Sequence, residues 1–272
     1  MRNAIMQGAA YRLAQDDAEF LNSDDLRPLR MQLEMLKPEH DLRAQGIAST
    51  VVVFGSARVV SEAQAQMALN AAEASAASKD DHGPASAAGL KTARHQLDQS
   101  RYYEQARRFS HLVSTRFQQA VRSDYVVVTG GGPGIMEAAN RGAYEAGARS
   151  IGLNINLPHE QRPNPYITPE LAFRFHYFAI RKMHFLMRAR ALVAFPGGFG
   201  TLDELFDVLT LVQTGKMPRI PIVLVGSGFW RRVIDFDYLV EQGFISPDDT
   251  DLFTRVDTAE EIIEVLASFE NE

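Results

Sequence analysis

The sequence predicts an α/β protein: a Rossmann-like, doubly wound parallel sheet flanked by helices, in a single domain with an N-terminal helical extension. Three observations lead to this fold class. Short apolar runs alternate with helical segments, two of these runs pass into clustered glycines, and 46% of the 272 residues are hydrophobic, which is ample for a packed core. In such sheets ligands bind beyond the carboxyl ends of the strands, where both glycine clusters fall.

The N-terminal segment, residues 1–45, predicts helices that precede the sheet. The stretch "SDDLRPLRMQLEMLKPEHDL" carries apolar side chains at helical spacing behind an Asp/Ser-rich start that is typical of a helix cap. We therefore assign residues 1–45 to a helical extension and residues 46–272 to the Rossmann-like nucleotide-binding domain.

The sheet is expected to begin with "TVVVF", a buried parallel strand that turns at Gly55-Ser56. Residues 61–105 predict a helical insertion region, in which "SKDDHGPASAAG" has the polar and breaker content of an exposed loop. A long amphipathic helix over residues 90–121 then leads to the second strand, and "DTAEEIIEVLASF" predicts a closing helix. The predicted strands are residues 50–54, 125–129, 150–155, 174–178, 191–195 and 221–225.

Composition excludes several functional classes. The formal charge of −6 argues against a general surface for nucleic acid or anionic membranes. The absence of cysteine excludes disulfides, thiolate chemistry and cysteine-based zinc sites. The N-terminus has acidic residues where a signal peptide needs an apolar core, and no run reaches the roughly 20 apolar residues of a membrane span. We expect a cytoplasmic protein without a metal site.

The two glycine clusters are "VVVTGGGPGIMEAANRGA" and "AFPGGFGTLDELFDVL". Glycines at a strand-to-helix turn let the backbone approach a ligand, and the N-terminus of the following helix attracts an anion such as phosphate. Each cluster alone is equally well explained as a tight βα turn, but two together favour a grip on one phosphorylated ligand. Neither has the spacing of a dinucleotide fingerprint or a P-loop. The candidate glycines are Gly131, Gly132, Gly134, Gly197, Gly198 and Gly200.

A cationic pair, Arg181-Lys182, precedes the second cluster, which reads Pro-Gly-Gly-Phe-Gly-Thr-Leu-Asp-Glu over residues 196–204. An R-K pair followed by P-G-G-x-G-T-x-x-E resembles the hallmark of the Lonely Guy (LOG) family of nucleoside-monophosphate phosphoribohydrolases, long described as possible lysine decarboxylases. The resemblance runs from about Val51 to Gly226, includes "VFGSAR", "GLNINLPHEQ" and "LTLVQTGK", and is similar to the longer bacterial branch. Phe178-Ala179 stands where compact members usually have Met-His, and Glu137 replaces a common glycine.

The resemblance implies hydrolysis of the N-glycosidic bond of a nucleoside 5′-monophosphate such as AMP or N6-prenylated AMP, without a cofactor, by a homodimer or higher homo-oligomer. The choice of base stays open. In that reaction Glu204 is the candidate carboxylate for oxocarbenium-like charge or for activating water. Arg181, which stays protonated, would orient the base or ribose. Thr201 is expected to cap its helix and hold phosphate, with Asp203 facing elsewhere. The glycine turns, Gly55, Ser56 and Lys182 complete the expected substrate site.

Three alternatives stand beside the enzyme. A carrier or sensor of a phosphorylated small molecule, such as a nucleotide or molybdenum cofactor, would use the same turns, although the pairing of Arg181 with Glu204 favours catalysis. A pyridoxal-phosphate lysine decarboxylase would need a Schiff-base lysine, and nothing in the sequence marks one. A DNA-processing module is disfavoured by the acidic balance.

Overall fold

The computed structural model describes residues 1–77, 84–118, 124–156 and 162–270. Within these residues, seven strands form one sheet in which every neighbouring pair is parallel. The strands are β1 Thr50–Phe54, β2 Val126–Thr129, β3 Ser150–Ile155, β4 Ala172–Phe175, β5 Ala189–Ala194, β6 Ile222–Val225 and β7 Thr254–Val256.

The strand order β4-β3-β2-β1-β5-β6-β7 is doubly wound. From β1 the chain adds strands outward to β4, and it then returns to place β5 on the other side of β1, where Phe54 lies beside Ala194. The order therefore reverses between β1 and β5, which makes this the topological switch point of the sheet. The predicted fold class is confirmed.

Helices cover both faces of the sheet and precede it. They are α1 Arg2–Gln7, α2 Ala18–Leu21, α3 Arg27–Ala44, α4 Glu62–Ala77, α5 Pro84–Phe117, α6 Ile135–Glu145, α7 Phe178–Leu186, α8 Phe199–Gln213, α9 Ser227–Val233, α10 Phe236–Glu241 and α11 Ala259–Glu270. Short 3-10 helices lie at Ala9–Tyr11, Ala14–Asp16, Asp24–Leu26, Pro169–Leu171 and Pro247–Leu252.

Two hydrophobic cores lie on opposite faces of the sheet. One core holds side chains from α3, α7, α8 and α9, among them Leu42, Phe185, Leu205 and Trp230. The other holds side chains from α5, α6 and α11, among them Tyr103, Phe109, Ile135 and Ile262. The helices that follow β2 and β5 consequently lie on different faces, and their first turns approach the switch point from opposite sides.

Three expectations for individual elements were wrong. The strand predicted at residues 174–178 is shifted, because β4 ends at Phe175 and α7 begins at Phe178. The three-residue strand β7 was missed, because so short a run gives almost no periodic signal. Part of the predicted loop is helical, since α5 begins at Pro84 and continues through an alanine-rich segment that favours helix. Residues 78–83 of that loop lie outside the described residues.

The N-terminal helices differ in how firmly they contact the rest of the chain. No residue of α1 or α2 is buried. Helix α3 buries Pro38 and Leu42 and packs against α7. The division between an extension at 1–45 and a domain at 46–272 stays a prediction.

Candidate active site

The switch point between β1 and β5 opens into a cavity of about 610 Å³ at the carboxyl edge of the sheet. Ser56 joins the segments around it: its backbone N–H donates to the Pro196 carbonyl at 3.0 Å, and its carbonyl accepts from the Ile135 N–H at 3.1 Å. Its hydroxyl oxygen accepts from the Arg58 N–H at 3.1 Å, so Ser56 is both a turn residue and part of the wall. The wall residues are Phe54, Gly55, Ser56, Ala57, Arg58, Gly130, Met136, Phe178, Arg181, Gly198, Phe199, Gly200, Thr201, Leu202, Asp203 and Glu204.

Helix α8 begins at this cavity. Its N-cap is Gly198, and its first N–H groups, those of Phe199 and Gly200, donate to no other group in the described part of the chain. The positive end of the helix dipole and these N–H groups suit an anionic ligand. The expectation that Thr201 caps the helix was wrong: Thr201 is its third residue and makes no capping hydrogen bond. Its side chain instead packs on the preceding turn, since a Cβ at Gly197 would lie 2.1 Å from the Thr201 Oγ1.

Glu204 lies one turn further along α8, and only 7% of the residue is exposed. Within the described residues its carboxylate forms neither a hydrogen bond nor a salt bridge. Burial raises the pKa of Glu204 to about 7, because the nearby cations Lys182 and Arg181 offset the loss of hydration only in part. A carboxyl group with this pKa exchanges its proton near neutral pH, as a catalytic acid or base must.

Arg181 faces the same cavity from α7. Its Nε donates to the Leu153 carbonyl at 2.8 Å, and its guanidinium carbon lies 5.1 Å from the centre of the Phe185 ring. It also lies over the end of β2, where a Cβ at Gly130 would come within 2.5 Å of the Nη2. Burial lowers the pKa of Arg181 while Glu204 raises it, and the guanidinium remains protonated. The cavity thus brings the partly buried cation Arg181 and the carboxylate Glu204, which has no hydrogen-bond partner among the described residues, into one wall.

Lys182, the second member of the cationic pair, contacts carboxylates on α8, whereas Arg181 contacts the Leu153 carbonyl. Its Nζ lies 2.8 Å from Asp203 Oδ1 and 3.9 Å from Asp207 Oδ2, both on α8. Lys182 does not belong to the cavity wall. The contact joins α7 to α8 and thereby connects the helices that carry Arg181 and Glu204.

The first glycine turn, residues 130–134, is held by buried side chains. Gly131 has a φ of +72°, and its N–H donates to Thr129 Oγ1 at 2.9 Å. The Thr129 hydroxyl donates to Asn140 Oδ1 at 2.7 Å, and the Asn164 amide donates both to Asn140 Oδ1 and to the Gly132 carbonyl. This network of polar groups fixes the path of the turn.

Gly134 ends that turn as the N-cap of α6, with a φ of +73°. A Cβ at Gly134 would lie 2.4 Å from the Ser56 carbonyl oxygen, so only glycine lets the β1 loop pass this close. The first turn therefore supports the loop that forms part of the cavity wall.

The structure brings together about half of the residues named from the sequence. Those in the cavity wall are Gly55, Ser56, Arg181, Gly198, Gly200, Thr201 and Glu204. Those that support it without belonging to the wall are Gly131, Gly132, Gly134, Lys182 and Gly197. The sequence did not identify Arg58, Gly130, Met136 and Phe178 as site residues, although each lies within three residues of one that was named.

Two kinds of feature are absent from the described residues. Among residues 1–77, 84–118, 124–156 and 162–270, no group of three or more His, Asp or Glu side chains is placed to hold a metal ion. No described helix is both long and apolar enough to cross a bilayer.

Comparison with known proteins places this chain in a family. The family model described as "Possible lysine decarboxylase" matches residues 136–266. Cytokinin riboside 5′-monophosphate phosphoribohydrolase LOG3 of Arabidopsis thaliana is 30% identical over 148 residues, which cover 53% of this chain and 67% of that protein. LOG7 of the same plant, another cytokinin riboside 5′-monophosphate phosphoribohydrolase, is 31% identical over 152 residues, or 54% and 68% of the two chains.

Among solved structures, the molybdenum cofactor carrier protein of Chlamydomonas reinhardtii has 15% sequence identity and a TM-score of 0.47, over 82% of this chain and 99% of that one. The similarity to LOG3 and LOG7 extends over two thirds of the length of each. With its Arg181-Lys182 pair, its second glycine turn and Glu204, the chain belongs to the Lonely Guy (LOG) family.

Proposed function

We propose that this protein hydrolyses the N-glycosidic bond of a purine nucleoside 5′-monophosphate. Water adds its hydroxyl group to C1′ of the ribose and its remaining proton to the departing base, which yields free base and ribose 5-phosphate. The relatives named as cytokinin riboside 5′-monophosphate phosphoribohydrolases support this reaction class.

The observation that carries the proposal is the buried, unpaired Glu204 in a cavity otherwise suited to an anion. A protein that only binds a phosphorylated molecule gains nothing from a carboxylate there. The negative charge repels phosphate, and burying the charge costs free energy, which is why the pKa of Glu204 is raised. A glycosidic bond that breaks leaves positive charge on the ribose, and a carboxylate stabilises that charge or takes a proton from the attacking water. The position of Glu204 suits catalysis better than storage.

The other residues at the cavity are proposed to bind and orient the substrate. The free N–H groups of Phe199 and Gly200 would hold the 5′-phosphate at the N-terminus of α8. Arg181 would orient the base or ribose from the opposite wall. Met136 and the half-exposed Phe178 offer apolar surface for a purine ring. Lys182 would act through its contact with Asp203, which holds α7 against α8.

The proposal needs neither metal nor cofactor, and we expect the active form to be a homodimer or higher homo-oligomer, as the family resemblance implies. Light scattering after size-exclusion chromatography measures that state. Adenine and N6-prenylated adenine both remain candidate bases.

A nucleotide panel tests the activity. We expect the purified protein, with chelator present, to release base and ribose 5-phosphate from AMP or N6-prenylated AMP, as followed by chromatography. Adenosine should be a much poorer substrate, because it lacks the phosphate. Tight binding of a nucleotide without release of any base would instead favour a carrier of a phosphorylated small molecule.

The pH dependence tests the role of Glu204. Because Glu204 is proposed to act as the ionised carboxylate, kcat/KM should rise as the pH passes through about 7 and level off above it.

A further inference from the structure

Helix α3 of the N-terminal segment contacts the beginning of α7, the helix that carries Arg181. The Glu34 carboxylate accepts the backbone N–H of His176 at 2.8 Å and that of Tyr177 at 3.1 Å. Tyr177 is the N-cap of α7 and supplies no capping hydrogen bond from its own side chain. A carboxylate at this end also interacts favourably with the helix dipole. The carboxylate of Glu34, which lies 143 residues before Tyr177 in the chain, therefore takes the place of an N-cap side chain for α7.

The same helix α3 holds the other end of α7. The His184 Nε2 lies 3.2 Å from the Glu34 carbonyl oxygen. Just beyond α7, Arg188 forms a bidentate salt bridge with Glu39, in which the Arg188 Nη2 lies 2.9 Å from the Glu39 Oε1. Both side chains are mostly buried, and the hydrogen bond from Arg188 lowers the pKa of Glu39 to about 2. Contacts with α3 thus fix α7 at its start and at its end.

Arg181 follows the capped end by one helical turn, and its N–H donates to the Tyr177 carbonyl at 3.2 Å. A shift of the first turn of α7 would move the guanidinium relative to Glu204, which belongs to α8. The Lys182–Asp203 contact does not replace the cap, because Asp203 is more than half exposed and water screens the pair.

We infer that Glu34 is a positioning residue for the site: by capping α7 it sets where Arg181 lies opposite Glu204. The inference rests on the proposed function, in which Arg181 acts on the substrate. It gives the N-terminal helix α3 a role in catalysis although none of its residues belongs to the cavity wall.

The test compares Glu34→Ala, Glu34→Gln and the control Gln32→Ala, which changes an exposed residue of the same helix. In Glu34→Ala, hydrogen exchange measured by mass spectrometry should become at least about tenfold faster around residues 176–181 and stay unchanged in α8. For the substrate found in the nucleotide panel, kcat should fall roughly tenfold while KM changes less than about threefold, since misplaced catalytic groups slow the chemical step. Glu34→Gln, which keeps one acceptor oxygen, should recover part of both losses, and Gln32→Ala should match the unaltered protein.

Unchanged exchange around residues 176–181 in Glu34→Ala would overturn the cap, and faster exchange with unchanged kcat would overturn its catalytic consequence. Uniformly faster exchange throughout the molecule would indicate a merely structural role. If Glu34→Ala fails to fold, Glu34→Gln answers the same two questions. If the unaltered protein hydrolyses no nucleotide, the proposed function fails while the exchange measurement still decides whether Glu34 caps α7.

Discussion

The two glycine turns follow the strands on either side of β1, yet they are built in opposite ways. The first, residues 130–134, is fixed by Thr129, Asn140 and Asn164, and its backbone reaches positive φ twice. Among the described residues, the second turn, residues 196–200, has no capping side chain, and although Gly197 packs on Thr201, no neighbouring group lies within 4 Å of a Cβ built at Gly198 or Gly200. The same residue type therefore serves two purposes: close packing of the backbone in the first turn and open space for a ligand in the second.

The comparison predicts that the second turn carries the chemistry, and Glu204→Gln is the strongest test. Loss of a preorganised charge should lower kcat by roughly 10²-fold or more, with nucleotide Kd nearly unchanged. The neighbouring change Asp203→Asn should lower kcat by less than about threefold, because Asp203 is more than half exposed and water screens its contact with Lys182. Steady-state kinetics and calorimetric titration measure both constants. An active Glu204→Gln variant beside an inactive Asp203→Asn variant would assign the role to the other carboxylate.

The same Glu204→Gln change should also stabilise the protein, with a defined dependence on pH. The folded-state pKa of about 7 lies above the ordinary value of 4.5, so the native state loses stability as the pH rises from about 4.5 through 7. At pH 8 the variant should be more stable by roughly 3 kcal/mol, and at pH 4 the two proteins should be equal. Denaturant unfolding at the two pH values measures this difference. Equal stability at pH 8 would mean that Glu204 has its ordinary pKa.

The first turn should respond in stability rather than in chemistry. Asn140→Ala removes the buried side chain that accepts hydrogen bonds from the Thr129 hydroxyl and the Asn164 amide and donates one to the Ser150 hydroxyl. The free energy of unfolding should therefore fall by about 2–4 kcal/mol. The control Asn70→Ala, on an exposed face of α4, should cost less than about 0.5 kcal/mol. Urea denaturation compares them. A loss confined to kcat, at unchanged stability, would show that the first turn acts in the reaction itself.

The smallest expected effect distinguishes two glycines at the same helical position. Gly200 is the second residue of α8 and belongs to the cavity wall, whereas Gly228 is the second residue of α9 and lies outside it. Alanine at either site should stabilise the protein by about 0.5 kcal/mol, because glycine is a poor helix residue. Only Gly200→Ala should raise the nucleotide KM, about three- to tenfold, because its methyl group enters ligand space. An unchanged KM would remove Gly200 from the phosphate site.

The parts of the fold that the sequence predicted are those with a strong local signal. The buried strand β1 and the strand-to-glycine turn at β5 were apparent because in each an apolar run leads into glycine. The shift of β4 was not predictable, because the strand ends where Glu34, far away in sequence, accepts the His176 and Tyr177 N–H groups. The three-residue β7 lacks enough length for any pattern.

The candidate site shows the same division between local and long-range signals. Arg181 and Glu204 were named because they lie in contiguous motifs. The support of Gly131 by Asn140 and Asn164 depends on polar contacts between segments that only the fold brings together. The expected Thr201 cap failed because a threonine near a helix start looks the same in sequence whether it is the N-cap or the third residue. Gly130 and Met136 lie in the cavity wall because β2 ends just before Gly130 and α6 begins just before Met136.

The pairing of β1 with β5 has a consequence for how the molecule assembles. Phe54 and Ala194 lie side by side although 140 residues separate them, and three other strands are made in between. Closing so long a loop is entropically costly, and contacts between distant residues slow folding. The half of the sheet from β1 to β4 can pair before β5 is synthesised, whereas the crevice appears only after β5 has docked against β1. A partly synthesised or partly folded chain consequently carries the first glycine turn but no complete site.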